Sequence, residues 1–298
     1  MNPVVQQPPQ APDVATALEW ARNHIVRADA RILMRRVLVC DAARLIAHPE
    51  QQLSPVEWED FRHYVERRAA GEPIAYLTGE REFFGYGLMV TPAVLIPRPE
   101  TELLVELAVT HFGDRSNARV LDLGTGSGAV AVAIAKELPQ ADVTAVDRSR
   151  EALLVAMANA ARLRVSVSFV LSDWFAELKG ESFQLIVANP PYVAAADPHL
   201  EEGDVRFEPQ TALVSGPEGL NDLAVIIARA PYHLEPGGWI FLEHGFDQAA
   251  RVRGLLVDAG FSAIDSWRDL SGIERISGGK WLGRGADGSR LDAPQQDF

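Results

Sequence analysis

The segment from Arg119 to Leu138 constrains this chain more than any other. Arg119-Val120-Leu121-Asp122-Leu123 is a short apolar run that enters Gly124-Thr125-Gly126-Ser127-Gly128, and Ala129 to Leu138 then reads as a helix. A buried strand, a glycine-rich turn and a helix in that order open one half of a Rossmann-like sheet. The glycines let the backbone approach a ligand closely, and the helix N-terminus directs its free N–H groups there. The next strand, Asp142-Val143-Thr144-Ala145-Val146, ends in Asp147. In such sheets a carboxylate about 20 residues past the glycines accepts hydrogen bonds from ribose hydroxyls.

The ligand remains open at this point. Gly124, Gly126 and Ala129 also satisfy the G-x-G-x-x-G/A pattern of nicotinamide-binding proteins, and a glycine turn can exist with no nucleoside on it. Asp122, two residues before the first glycine, tilts the reading towards S-adenosylmethionine, whose ammonium needs a nearby carboxylate. Its alternative is a carboxylate that stabilises the turn.

A second feature narrows the chemistry. Phe183-Gln184-Leu185-Ile186-Val187-Ala188 reads as a buried strand that ends in Asn189-Pro190-Pro191-Tyr192. Ligands of open α/β sheets bind at that edge. The Asn189 side-chain oxygen can accept from an NH₂ group. Pro190 and Pro191 lack an N–H and hold φ near −65°, so the Asn189 and Pro190 carbonyls are rigid acceptors. Tyr192 offers a flat face to a planar amide or base. An amide nitrogen is a poor nucleophile because its lone pair is delocalised. Two acceptors on its hydrogens favour the pyramidal form that attacks a methyl group. The alternative is an Asn-Pro-Pro turn that only ends a strand. The glycine loop and this tetrapeptide at one sheet edge together point to methyl transfer onto a planar nitrogen.

The chain resembles the HemK/PrmC family, N5-glutamine methyltransferases that modify peptide release factors. The resemblance spans about residues 15–284. It rests on Gly71-Glu72-Pro73-Ile74-Ala75-Tyr76-Leu77-Thr78-Gly79, Glu82-Phe83-Phe84-Gly85 and Val94-Leu95-Ile96-Pro97-Arg98-Pro99-Glu100-Thr101-Glu102. The glycine loop, Asn189 to Val193, Phe207-Glu208-Pro209, Gly219-Leu220, Glu243-His244-Gly245 and Arg268-Asp269-Leu270 follow in family order. The resemblance implies that residues 124–128, Asp147, Trp174 and Asn189 contact the cofactor. It also implies that Asn189, Pro190, Pro191 and Tyr192 hold a glutamine from the Gly-Gly-Gln loop of class I peptide release factors. A sister family methylates a ribosomal-protein glutamine and shares the tetrapeptide. The Ile96-to-Glu102 stretch and the Arg-Asp-Leu…Glu-Arg ending are closer to the release-factor branch.

The expected fold class is α/β, a Rossmann-like S-adenosylmethionine-dependent methyltransferase sheet with a small N-terminal helical domain and a β-hairpin connector. Residues 1–12 read as a disordered lead-in, 13–78 as the helical substrate-docking domain and 79–98 as the hairpin connector. Residues 99–284 form the methyltransferase domain and 285–298 a disordered tail. Helices are expected over 13–27, 29–47 and 55–70, the last with Ser54 as N-cap, Pro55 at N1 and Glu57 closing a capping box. Arg62, Arg67 and Arg68 form a basic cluster there, read as a solvated face with a docking role as the alternative. Strands are expected over 119–123, 142–147, 166–171, 183–188, 238–243, 261–267 and 274–282. Pro97 and Pro99 bracket Arg98 in an extended segment expected to close over the cofactor.

Charge and composition weigh against the rivals. An adenine-N6 DNA methyltransferase uses a similar tetrapeptide, but it must grip DNA and extrude a base. Here 28 Lys and Arg face 41 Asp and Glu, a net charge of −13. Direct nucleic-acid binding is therefore not expected. A non-catalytic cofactor-binding translation factor is opposed by the intact tetrapeptide and loop. The lone Cys40 excludes an intramolecular disulfide framework, no apolar run approaches 18 residues, and the start has no leader pattern. A cytoplasmic protein without membrane contact is the expectation. Trp174 is read as packing on adenine and Asp173 as bonding its amino group, with core packing the alternative for the tryptophan. Glu208 and Glu243 are expected to structure loops, His244 to be structural, and no metal site is expected.

Overall fold

The structure, a computed structural model, describes residues 12–113 and 117–283. Residues 1–11 of the lead-in expected over 1–12, and the tail expected over 285–298, lie outside the described residues. The chain divides into two compact units: residues up to Glu80 together with Glu201–Phe207, and Arg81–Leu200 together with Glu208 onwards.

The first unit is helical: α1 (Val14–Ala21), α2 (Arg27–Leu38), α3 (Ala42–Ala47), α4 (Pro55–Ala69) and α5 (Ile74–Thr78). Its core is Val14, Ala17, Leu33, Met34, Phe61 and Val65, with the Trp20 and Trp58 rings edge to face at 4.9 Å. The capping box at Ser54 forms in both directions: Ser54 N donates to Glu57 Oε2 (2.7 Å) and Glu57 N to Ser54 Oγ (3.2 Å). The single helix expected over 29–47 is instead two. Val39 turns left-handed at φ 48°, and Asp41 caps a new helix by accepting Arg44 N at 2.7 Å. An Asp just past an exposed left-handed residue stabilises a restart better than continuation. The first helix stops at Ala21, short of residue 27. The basic cluster is neutralised in place: Arg67 pairs with Glu72 (2.5 Å), Arg68 with Asp29 (2.6 Å) and Asp204 (2.9 Å), and Arg62 with Glu59 (3.4 Å).

The second unit, from Arg81, opens within the hairpin of β1 (Glu80–Phe83) and β2 (Tyr86–Met89). Its two-residue turn, Phe84 and Gly85, has φ 51° and 77°, the double positive φ that matches strand twist. Glu102 Oε1 accepts from Phe84 N and Glu82 Oε1 from Gly85 N, which holds a phenylalanine in that conformation. Phe83 and Leu88 are buried in the same apolar cluster as α6 (Glu102–Phe112) and α7 (Ala129–Glu137).

The main sheet contains β3 (Arg119–Leu123), β4 (Asp142–Asp147), β5 (Ser168–Leu171), β6 (Phe183–Ala188), β7 (Leu234–Glu243), β8 (Ser262–Arg268) and β9 (Glu274–Lys280). Their order is β5-β4-β3-β6-β7-β9-β8, parallel except that β9 runs antiparallel to both β7 and β8. The helices α6, α7, α8 (Arg150–Leu163), α9 (Asn221–Arg229) and α10 (Ala249–Ala259) complete the unit, with an apolar cluster on each face of the sheet. The chain builds outwards from β3 to β5 and then returns beside β3 as β6. That reversal is the crevice where such sheets bind ligands.

Candidate active site

Register places the functional positions in a row. Leu123 of β3 pairs with Val146 of β4 and Ala188 of β6, and Ala188 pairs with Leu242 of β7. The next residue along each strand is Asp147, Gly124, Asn189 or Glu243, side by side on the C-terminal edge. All four therefore sit where the strands release their chain into loops.

A cavity of about 370 Å³ opens at this edge, within the range of small-molecule sites. Gly124 to Ser127 line it, together with Asp122, Asp147, Asp173, Trp174, Asn189 and Pro191. Asp147 holds the loop: its Oδ2 accepts Gly126 N (2.9 Å) and its Oδ1 accepts Ser149 N (2.8 Å). The Trp174 ring packs on Gly124, where a Cβ would lie 3.2 Å from it. Ala93, Val94, Leu95, Pro97 and Arg98 line one side, and Pro209, Thr211, Ala212 and Val214 another, the latter with no local signal in the sequence. Gly128, Pro190 and Tyr192 lie outside the lining. At Gly128, φ is +80° and a Cβ would come within 2.9 Å of the Ala156 Cβ, so this glycine lets α7 start against α8.

Asp122 is 2 % exposed, and its Oδ2 accepts both the Thr125 hydroxyl (2.7 Å) and Ala131 N (3.2 Å). It staples the glycine turn. Burial pushes its carboxyl up to about 7 despite those two bonds, and the Asp147 charge adds to the rise. A raised folded pKa means that stability is full below the unfolded value, about 3.9, and is lost as pH rises through the folded one. Asp122→Asn should therefore melt progressively higher than the parent protein, without ligand, between about pH 4 and pH 7, with the difference levelling off above that. Parallel melting temperatures across that range would refute the buried-carboxyl reading.

The tetrapeptide is fastened from three sides. Asn189 Nδ2 donates to Thr101 Oγ1 (3.1 Å), so its Oδ1 is the end left for a ligand. The Tyr192 hydroxyl donates to Glu243 Oε1 (3.2 Å), and Gln248 Nε2 donates to the Tyr192 carbonyl (3.0 Å). That carbonyl passes so close to Gly219 that a Cβ there would sit 2.2 Å from it. Thr101, Gln248 and Gly219 escape a local reading because each acts across more than 25 residues of chain. Glu208 does structure a loop: it pairs with Arg98 (2.5 Å) and accepts Ile96 N (3.3 Å), fixing the 94–99 segment. His244 is fully buried between Ser277 Oγ and the Gly245 carbonyl, a structural role. Among the described residues no cluster of three or more His, Cys, Asp or Glu could hold a metal, and no helix is long and apolar enough to cross a membrane.

The fold and the cradle define an S-adenosylmethionine-dependent methyltransferase. The PrmC N-terminal domain family matches residues 14–79, and the Methyltransferase small domain family matches 100–203. Two solved structures share the fold: a 16S rRNA N2 G1207 methyltransferase of T. thermophilus in complex with AdoMet and guanosine, and a methyltransferase of Pyrococcus furiosus. The first has TM-score 0.51 at 22% identity over 67% of this chain and 49% of that one. The second has TM-score 0.51 at 21% identity over 73% and 96%. Closer kinship is in sequence. The release factor glutamine methyltransferase of Xylella fastidiosa (strain Temecula1) is 48% identical over 91% of this chain and 99% of its own length. Those of Bordetella pertussis and Escherichia coli K12 are 51% and 43% identical, over 85% and 86% of this chain and 94% and 92% of theirs. The chain belongs to the release factor glutamine methyltransferase family.

Proposed function

We infer that this protein methylates the side-chain nitrogen N5 of the glutamine in the Gly-Gly-Gln loop of class I peptide release factors. The observation that carries the reading is Asn189: it stands in register beside Gly124, and Thr101 holds its amide nitrogen away from a ligand. In this reading the Asn189 Oδ1 and the Pro190 carbonyl each accept one hydrogen of the substrate amide, and Tyr192 lies against its plane. Bound S-adenosylmethionine supplies an electrophilic methyl group. Gly124 and Gly126 give the backbone room for it, Asp147 accepts from its ribose, and Trp174 and Asp173 meet its adenine. Asp122 carries the charge opposite its ammonium as well as stapling the turn. Catalysis is then mostly positioning. The nitrogen becomes acidic as it is methylated and releases its proton to water, so no strong base is needed.

The helical unit is the docking surface for the release factor in this reading, and the cytoplasm is the working compartment. The net charge of −13 argues against the DNA-modifying rival. The expected result is a gain of about 14 Da on the loop glutamine of a class I release factor incubated with enzyme and cofactor, read by peptide mass spectrometry. Methyl incorporation into a ribosomal protein or duplex DNA, with none in the release factor, would replace this reading.

A further inference from the structure

The row of functional positions ends in a residue that the reaction described above does not use. Glu243 closes β7 at 1 % exposure, one strand over from Asn189. Its Oε1 accepts the Tyr192 hydroxyl. The Thr101 hydroxyl, which accepts from Asn189 Nδ2, lies near enough to the same carboxyl to lower its pKa. Oε2 is buried without a hydrogen-bond partner among the described residues. A carboxylate is expensive to bury in this way, and a neutral side chain would fill the space at less cost.

We propose that Glu243 is a positioning residue for methyl transfer, anchoring Tyr192 directly and Asn189 through Thr101, so that one buried carboxylate sets both ends of the tetrapeptide. The direction of the bonds is the reason a carboxylate is needed. An ionised carboxylate only accepts. It therefore requires the Tyr192 and Thr101 hydroxyls to donate to it, which leaves the Thr101 oxygen to accept from Asn189 Nδ2. That last bond turns the Asn189 oxygen, and not its nitrogen, towards the substrate. A protonated Glu243 offers a competing donor at Thr101 and loosens this polarity. The inference rests on the reading that Asn189 and Tyr192 hold the substrate amide.

The groups around Glu243 make its charge state adjustable. Burial raises its carboxyl to about 7; the Thr101 and Tyr192 hydroxyls and Arg275 of β9 lower it, and Glu100 before α6 raises it. Arg98 of the extended segment bears on Tyr192, and neighbouring His244 is held below its ordinary value by burial. Arg275 is itself paired with Asp269 at 3.2 Å.

The test compares Glu243→Gln in two backgrounds, the parent protein and a Thr101→Val/Tyr192→Phe double variant. Single-turnover methylation of a release factor is measured at saturating cofactor, and S-adenosylhomocysteine affinity by calorimetry. In the parent, Glu243→Gln should slow turnover by about 10-fold or more with affinity changed less than about 3-fold. In the double variant, where no hydroxyl is left to position, the same change should cost less than about 2-fold. The parent's rate should also rise with pH through an inflection near 7, and Glu243→Gln should lose that inflection. Equal losses in both backgrounds, an unchanged inflection, or no loss in the parent would overturn the proposal. Asn189→Ala in the same assay separates the two levels. If that variant is crippled while Glu243→Gln is silent, only the positioning role fails. If it is active, the underlying assignment of the tetrapeptide fails.

Discussion

Replacing Asn189 by alanine should lower the single-turnover rate of methyl transfer by about 10²-fold or more, because misplacing a reacting group by an ångström costs that much. Affinity for S-adenosylhomocysteine should fall far less, since Gly124 to Ser127 and Asp147 keep their places in the cavity wall. On the proposed reading the substitution deletes an acceptor for the substrate amide; it also frees Thr101, which now receives Asn189 Nδ2 at 3.1 Å. Tyr192→Phe should be milder. The ring face proposed to meet the amide survives, and the loss is one hydrogen bond to Glu243, while Gln248 still grips the Tyr192 carbonyl. The order of the two effects is the discriminating result. Equal, small losses would mean that the tetrapeptide is a turn ending β6 and no more.

The parts legible in the sequence are those whose signal is local. The strands over 119–123, 142–147 and 183–188 agree residue for residue with β3, β4 and β6, because each is an apolar run that ends abruptly in glycine, Asp or Asn-Pro. The capping box at Ser54 is legible for the same reason: both partners lie within one turn. At Val39 local reasoning fails. The flanking segments both favour helix, and the break depends on a β-branched residue adopting φ 48° before Asp41. β7 begins at Leu234, earlier than the expected 238, because its first residues pair with the start of β6 across a register shift. What ties the site together is not local at all. Thr101 meets Asn189 across 88 residues, Glu208 meets Arg98 across 110, and Glu243 meets Tyr192 across 51. Such contacts follow from the order of the strands, and periodicity along the chain carries no trace of them. The glycine loop and the tetrapeptide could be named from sequence, whereas the side chains that orient them could not.

Asp147 is where the cofactor assignment can be tested most sharply. Each oxygen already accepts one backbone N–H, Gly126 on Oδ2 and Ser149 on Oδ1. A carboxylate oxygen has room for a second donor, so the residue can bind ribose hydroxyls without giving up the loop. Asp147→Ala removes both functions. A lost hydrogen bond to a charged group costs about 1.5–3 kcal/mol, so affinity for S-adenosylhomocysteine should weaken by about 10- to 150-fold. The melting temperature without ligand should move much less, because Asp147 is partly exposed and most of the core of the sheet lies below it. Asp147→Asn keeps the shape, but its amide has one acceptor for two N–H donors, and its nitrogen must face one of them. This variant too should bind more weakly, by an amount between the parent and the alanine variant. Calorimetry that finds unchanged affinity in Asp147→Ala would leave the loop to Gly126 and Ser149 alone and remove Asp147 from the cofactor site.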